Sequence, residues 1–352
     1  MKEKILKYAI DKAKRNRFIQ NIFEQPLDLN AFPKNGSFKD SFGNEFDLLQ
    51  GLRSKLKPGW ENIFKQDGKS FNKSPDRIEQ IARNGRIAVE RIKPIANVYL
   101  SGLKDKSILE IGCHAGGTSY AFAEEGVASI TGTEFSGYKI ESMETKAIEE
   151  SELEQVNDNL KELRELVAGK FHEKSNISFV DDDICNSKLE KGKFDLICSW
   201  DVLEHLHDPL GAFQNVHSLL SDDGVAIHDY NPFFSIIGGH SPCTIDFPWG
   251  HVILNEEDFE RFNSEKQADR SDLAMSFYRN GINRMTLKKL HEHSEEANLE
   301  LLSVVTFPKE QYIRMMTDKI LKLASNNYPS CELNDLVSQR VIVIQKKKKI
   351  PK

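Results

Sequence analysis

The chain has 352 residues, 39% of them hydrophobic and 29% charged, with a formal net charge of −6. That length suits one core of about 200–250 residues with additions; the charge offers no global field to nucleic acid, and no apolar run approaches the roughly 20 residues of a membrane span. The five cysteines (Cys113, Cys185, Cys198, Cys243 and Cys331) form no CxxC pair, so neither a zinc knuckle nor a disulfide framework is expected, and a reducing cytoplasm is the natural setting.

The opening "MKEKILKYAIDKAKRNRF" lacks the apolar core of a signal peptide and reads as a basic amphipathic helix, solvated and packed on its own domain. Residues 1–74 are otherwise turn-rich and read as an N-terminal extension that caps the domain, with "FPKNGSFKDSFGNEFDLL" as loop or short hairpin. Ser74-Pro75 opens a helix to about Tyr99, since proline is favoured at the first helical position. From residue 106 short apolar strands alternate with helical segments: SILEIG, TSYAFAEEG, ASITGTE, a long helix, ISFVDDD, FDLICSW, DVLEHL and GVAIHDY. This alternation predicts an α/β domain over 75–346, a mainly parallel sheet with helices on both faces.

Two segments exceed a minimal domain. Residues 137–169 carry apolar Ile140, Met143, Ile148, Leu153, Val156, Leu160, Leu163 and Val167 at helical steps, far longer than the mean helix of about 11–12 residues. One face should be buried, against the N-terminal region or a second copy, which makes a homodimer possible. Residues 231–282 follow the fifth strand and are dense in aromatic, Gly, Pro and His residues, as expected of a lid. A helix (Thr286–Glu295), a strand (Leu299–Phe307), a helix from about Lys309 and a last strand (340–345) follow. The basic tail 347–352 is expected to be solvated.

"ILEIGCHAGG" (108–117) resembles a dinucleotide-binding turn with His114 where the second glycine belongs. A Cβ there would obstruct a pyrophosphate, and Glu110 at the strand end would repel it. A ligand with a cationic head and no pyrophosphate suits the turn better; S-adenosylmethionine has a sulfonium and an ammonium group. On this reading Glu110 faces the ammonium, Gly112 and Gly116 admit the methionine portion, and His114 is tolerated. Glu134 ends the second strand, where a carboxylate holds a ribose diol in dinucleotide folds. Asp182, with Asp183 next to it, ends the third and is placed to accept an adenine amino group. Ser199 and Trp200 follow the fourth.

These motifs, in this order and with FDLICSWDVLEHLHDPLGAF and LLSDDGVAIHDYNP after them, resemble the class I S-adenosylmethionine-dependent methyltransferases, and among them the small-molecule group that includes quinone-pathway enzymes. The resemblance covers about 75–230 and 283–345. It implies a Rossmann-like seven-stranded sheet with the seventh strand antiparallel, an insertion after strand five, and the cofactor residues just named.

Methyl transfer to oxygen needs alignment and a group to take the proton, for which histidine is the usual choice near neutral pH. The candidates lie at or after the fifth strand: His228, Asp229, His240 and His251. With Asp246 they could form a mixed metal site, but their spacing matches no metal motif and no metal is expected. The acceptor is expected to be a small molecule or glycan with a hydroxyl. RNA or protein methylation is the alternative, although the net charge argues against RNA; another is a partner subunit that binds cofactor without chemistry, against which the intact acidic ladder of Glu110, Glu134 and Asp182 speaks.

Overall fold

The alternation from residue 106 folds as one seven-stranded sheet in a computed structural model that describes residues 27–65, 71–136 and 150–349. The N-terminal basic segment, residues 137–149 of the long helical pattern and the last three residues of the tail lie outside the described residues. A hairpin, β1 (Lys34–Lys39) and β2 (Glu45–Leu49), precedes helix α1 (Pro75–Leu100). Then come β3 (Ser107–Ile111), α2 (Gly117–Ala123), β4 (Ser129–Glu134), α3 (Glu150–Ala168), β5 (Ile177–Asp181), β6 (Phe194–Trp200), α4 (Pro209–Leu219) and β7 (Leu220–Tyr230). After the insertion, which holds α5 (Glu256–Lys266), follow α6 (Leu287–Glu296), β8 (Leu299–Pro308), α7 (Asp318–Asn327) and β9 (Ser338–Lys347).

The strand order is β5-β4-β3-β6-β7-β9-β8. Strands β3 to β7 pair in parallel, and β9 runs antiparallel to both its neighbours. The chain leaves β3 toward β4 on one side and resumes at β6 on the other. That reversal opens a crevice at the strands' carboxyl ends. The stretch DVLEHL is not the helix its sequence suggests: Leu203–His205 is a single 3-10 turn, and the helix starts at Pro209, where Asp208 Oδ1 caps the Gly211 N–H at 3.0 Å.

Each face of the sheet is covered. Helix α1 begins as expected, with Ser74 Oγ accepting the Arg77 N–H, and buries Ile78, Ala82, Gly85, Val89, Ile92 and Ala96 at steps of three and four. It crosses α2 at backbone contact: a Cβ on Gly85 would lie 2.2 Å from the Gly117 carbonyl oxygen. The described half of the long helix, α3, buries Val156, Leu160, Leu163 and Val167 and packs on α1 and α2. On the opposite face α4 and α6 contribute Phe213, Val216 and Leu290 to a second layer.

A separate hydrophobic core is assembled from three stretches distant in sequence. Phe38 and Phe46 come from the hairpin, Phe233, Phe247, Trp249 and Phe262 from the insertion, and Tyr312, Met315 and Leu336 from the segment between β8 and β9. Phe46 stacks on Phe247 at 5.0 Å, Phe38 meets Phe262 edge-on at 5.3 Å, and Trp249 Nε1 donates to the Leu336 carbonyl at 3.0 Å. Arg53, 2% exposed, closes the joint: it donates to the Ser241 and Pro242 carbonyls and to Gln267, with its guanidinium 3.5 Å from the Trp60 ring centre. The insertion's aromatics, expected to cover an acceptor, are spent on one another, because large rings gain most when fully buried. Replacement of Gly85 by Ala should lower unfolding free energy by about 1–3 kcal/mol, the usual cost of overpacking. Urea denaturation checks it against Ala88→Gly, a change on the same helix.

Candidate functional site

The glycine turn is set by backbone sterics. Gly112, His114 and Gly116 have φ of +69°, +43° and +73°. A Cβ on Gly112 would stand 2.5 Å from Val202 Cγ2, and one on Gly116 2.6 Å from Phe179 Cζ, so both glycines answer to packing as well as to φ. His114 adopts the left-handed conformation with a side chain, and its backbone is held on both sides. Its N–H donates to Glu134 Oε2 at 2.7 Å, and its carbonyl accepts from Arg164 Nε at 2.7 Å. Its ring meets Phe71 edge-on at 5.2 Å. The sequence reading had His114 merely tolerated; its backbone is a tie between the turn and the end of β4.

Two clefts meet at this turn and share Gly112, His114, Trp200 and Asp201. The first, a pocket of about 780 Å³ with its open mouth included, is lined by Glu134, Asp182, Asp183, His205, His207 and Asn280 among others. Asp182 accepts the Lys188 N–H with Oδ1 at 2.9 Å, while its Oδ2 is shielded and has no hydrogen-bond partner among the described residues. Asp183 caps the turn Ile184–Asn186 by accepting the Cys185 N–H at 2.9 Å. The other cleft holds Glu110 with Arg77, Arg91 and Arg340. Glu110 is buried and accepts a hydrogen bond from Ser119 Oγ; burial pushes its carboxyl up to about 7, against the pull of the Ser119 and Thr118 hydroxyls.

The four residues proposed for catalysis are not brought together. His228 is buried within the sheet, its Nδ1 2.8 Å from Ser199 Oγ, and burial drops it to about 4; neither it nor Ser199 lines either of the two clefts. His251 Nε2 is 2.9 Å from the Phe233 carbonyl, inside the aromatic core. Asp229 pairs with Arg340 at 2.7 Å and Arg91 at 3.3 Å. Only His240 approaches the pocket wall, its ring 5.1 Å from that of His205.

The helical reading of DVLEHL left His205 and Glu204 out of the candidates, and the structure places His205 on the pocket wall with Glu204 beside it. His205 Nδ1 lies 2.6 Å from the Gly281 carbonyl; a carbonyl only accepts, so Nδ1 carries the proton and Nε2 the lone pair. Burial lowers the His205 pKa, so the ring is neutral near pH 7. Gly281 closes the π-helical turn Phe277–Gly281, and Asn280 of that turn lines the pocket; such turns recur at functional sites. Behind His205, Glu204 Oε1 accepts the Asn231 N–H at 3.0 Å, while Glu204 Oε2 and His240 Nε2 are shielded without partners. One donor atom from each of Glu204, His205 and His240 lies within 4.8 Å of the others, an arrangement that a hydroxyl or a metal ion would satisfy. The signal was the Glu-His pair a few residues past a strand end, which the helical reading of DVLEHL hid.

Burial, with Asp201 nearby, raises Glu204 from 4.5 to about 8. Folding therefore favours its protonated form: the stability it contributes is complete below pH 4.5 and is lost as pH rises through about 8. Wild-type protein should lose stability relative to Glu204→Gln between pH 5 and 8.5. Parallel urea curves at the two pH values test this, and an unchanged difference would contradict the burial.

A family model described as "Methyltransferase domain" matches residues 82–304. The "Ubiquinone biosynthesis O-methyltransferase" of Histophilus somni is 28% identical over 173 residues, 48% of this chain and 60% of that protein. Its counterpart from Actinobacillus pleuropneumoniae serotype 5b is 31% identical over 179 residues, 46% and 63% of the two chains. The chain thus spans about three-fifths of the curated relatives it matches. Among solved structures, Haemonchus contortus phosphoethanolamine N-methyltransferase 2 in complex with S-adenosyl-L-methionine aligns at TM-score 0.44 and 13% identity, over 87% of this chain and 62% of that one.

Proposed function

The chain belongs to the methyltransferase-domain family with S-adenosylmethionine as its cofactor, and from that premise we propose that it methylates a hydroxyl oxygen of a small molecule. The observation that carries the reading is one pocket wall joining two carboxylates, Glu134 and Asp182, to a histidine whose Nδ1 is turned to a carbonyl, His205. The pocket residues fit the cofactor on their own terms. Asp182 Oδ2 is a shielded acceptor lacking a donor among the described residues, as an amino group would supply, and Glu134 stands at the neighbouring strand end. Glu110, Gly112, Glu134, Asp182 and Trp200 would hold it. Gly116, Asp183 and Ser199 support the walls through packing, capping and the bond to His228.

S-adenosylmethionine supplies a methyl group made electrophilic by its sulfonium. The chain then has to align the acceptor and take its proton. His205 does the second, with Nε2 accepting the hydroxyl proton while Nδ1–H stays on the Gly281 carbonyl; the new charge on the ring is met by Asp201 close by. The His240 ring lies beside it, tilted, with the centroids 5.1 Å apart. The pocket's far wall, at Asn280, comes from the insertion, so acceptor choice rests with residues outside the sheet. The relatives named as O-methyltransferases support oxygen as the methylated atom.

Asp182→Ala should weaken S-adenosylhomocysteine binding by about 1–3 kcal/mol, the cost of a lost charged hydrogen bond, measured by calorimetry. NAD binding without either methionine cofactor would end the assignment. For the acceptor, labelled-methyl transfer into a cell extract identifies the product by mass, and a product methylated on carbon or nitrogen alone contradicts the oxygen reading. With the acceptor in hand, His205→Gln should lower turnover by about 10²-fold or more with cofactor affinity retained. The wild-type acid limb should fall below 6.5, since burial lowers this histidine. Activity that is lost on exhaustive chelation and restored by magnesium would instead place a metal ion on Glu204, His205 and His240.

A further inference from the structure

Three side chains on the wall of the same pocket have no part in that chemistry: Asp183, Cys185 and His207. A carboxylate oxygen, the Cys185 Sγ and a His207 ring nitrogen all lie within 4.8 Å of one another. Asp183 Oδ2 and His207 Nε2 are 3.6 Å apart. Tetrahedral zinc, with bonds of about 2.0–2.3 Å, sets its ligand atoms about 3.4–3.6 Å apart. The frame is fixed on both sides. Asp183 caps its own turn with the other oxygen, and Asp208, next to His207, starts α4. His207 is half exposed, which leaves a path for an ion to enter.

The donor set selects the metal. Thiolate, imidazole and carboxylate together suit zinc, whereas magnesium and calcium take oxygen. We propose that Asp183, Cys185 and His207 bind one zinc ion whose fourth position faces the pocket. In this step the Cys185 S–H loses its proton to water as the S–Zn bond forms, with no change of oxidation state. Affinity therefore rises with pH. Because all three residues line the cofactor pocket, zinc and cofactor exclude one another; that consequence rests on the reading of the pocket given above, whereas the metal site does not.

The test uses the full chain, reduced and freed of metal, titrated with cobalt(II) as a spectroscopic stand-in for zinc. A thiolate-to-cobalt charge-transfer band should grow to one equivalent and be reversed by zinc. Cys185→Ser should remove it, and His207→Ala, a change at a half-exposed position that spares the fold, should weaken cobalt binding at least tenfold. Cobalt binding without the thiolate band, or a band unaffected by His207→Ala, overturns the site. Ion binding at Glu204, His205 and His240 gives no such band and is thereby distinguished. If the band appears and zinc leaves S-adenosylhomocysteine affinity unchanged, the exclusion is overturned and the metal site stands.

Discussion

The hydrogen bond from the His114 N–H to Glu134 Oε2 fixes the part of the molecule on which the rest depends. It ties the turn after β3 to the end of β4. For that bond to form, the chain must pass through left-handed backbone at positions 112, 114 and 116. Glycine meets the demand at two of them, where a Cβ would also collide with Val202 or Phe179. At the third a histidine takes it and is held by Arg164 and Phe71. Once the turn is set, Gly117 can enter α2 in backbone contact with α1, and both clefts take their shape from the same few residues.

The second organising element is the burial of ionisable groups. Glu110, Glu204 and His228 have no room to keep their charges cheaply, and each is shifted toward its neutral form. They differ in what surrounds them. His228 has a hydroxyl on one nitrogen and the interior of the sheet around it, which makes it part of the fold. Glu204 stands with His205 and His240 beside an open wall, with an acceptor atom to spare. Burial alone does not mark a site; burial next to a cavity does.

Much of the sheet was legible in the sequence because its signals are local. Alternating apolar strands, the Ser74-Pro75 start and the acidic ends of β4 and β5 each arise from a few neighbouring residues. The pocket's chemistry was less legible for the opposite reason. His228, His240 and His251 lie in one stretch of sequence and look equivalent there, yet the fold sends one into the sheet, one into the aromatic core and one toward the pocket. Nothing near His205 shows that its partner will be the carbonyl of Gly281, 76 positions away. The aromatics of 231–282 were read as a cover for a ligand because their real partners, Phe46 and Leu336, are far off in the chain.

That second core has a consequence for how the protein is made. Its members come from residues 38–46, 233–282 and 312–336, and β9, which pairs with the flank of β7 and separates it from β8, spans Ser338–Lys347. Until the ribosome has delivered these last stretches, Phe38, Phe46 and the phenylalanines of the insertion lack part of their packing, and β7 keeps an unpaired edge. A growing chain in this condition offers apolar surface and free strand hydrogen bonds to its neighbours. Synthesis of this protein therefore carries a long interval of vulnerability that closes only once Ser338–Lys347 has emerged, and the need for chaperone protection should be concentrated before that point.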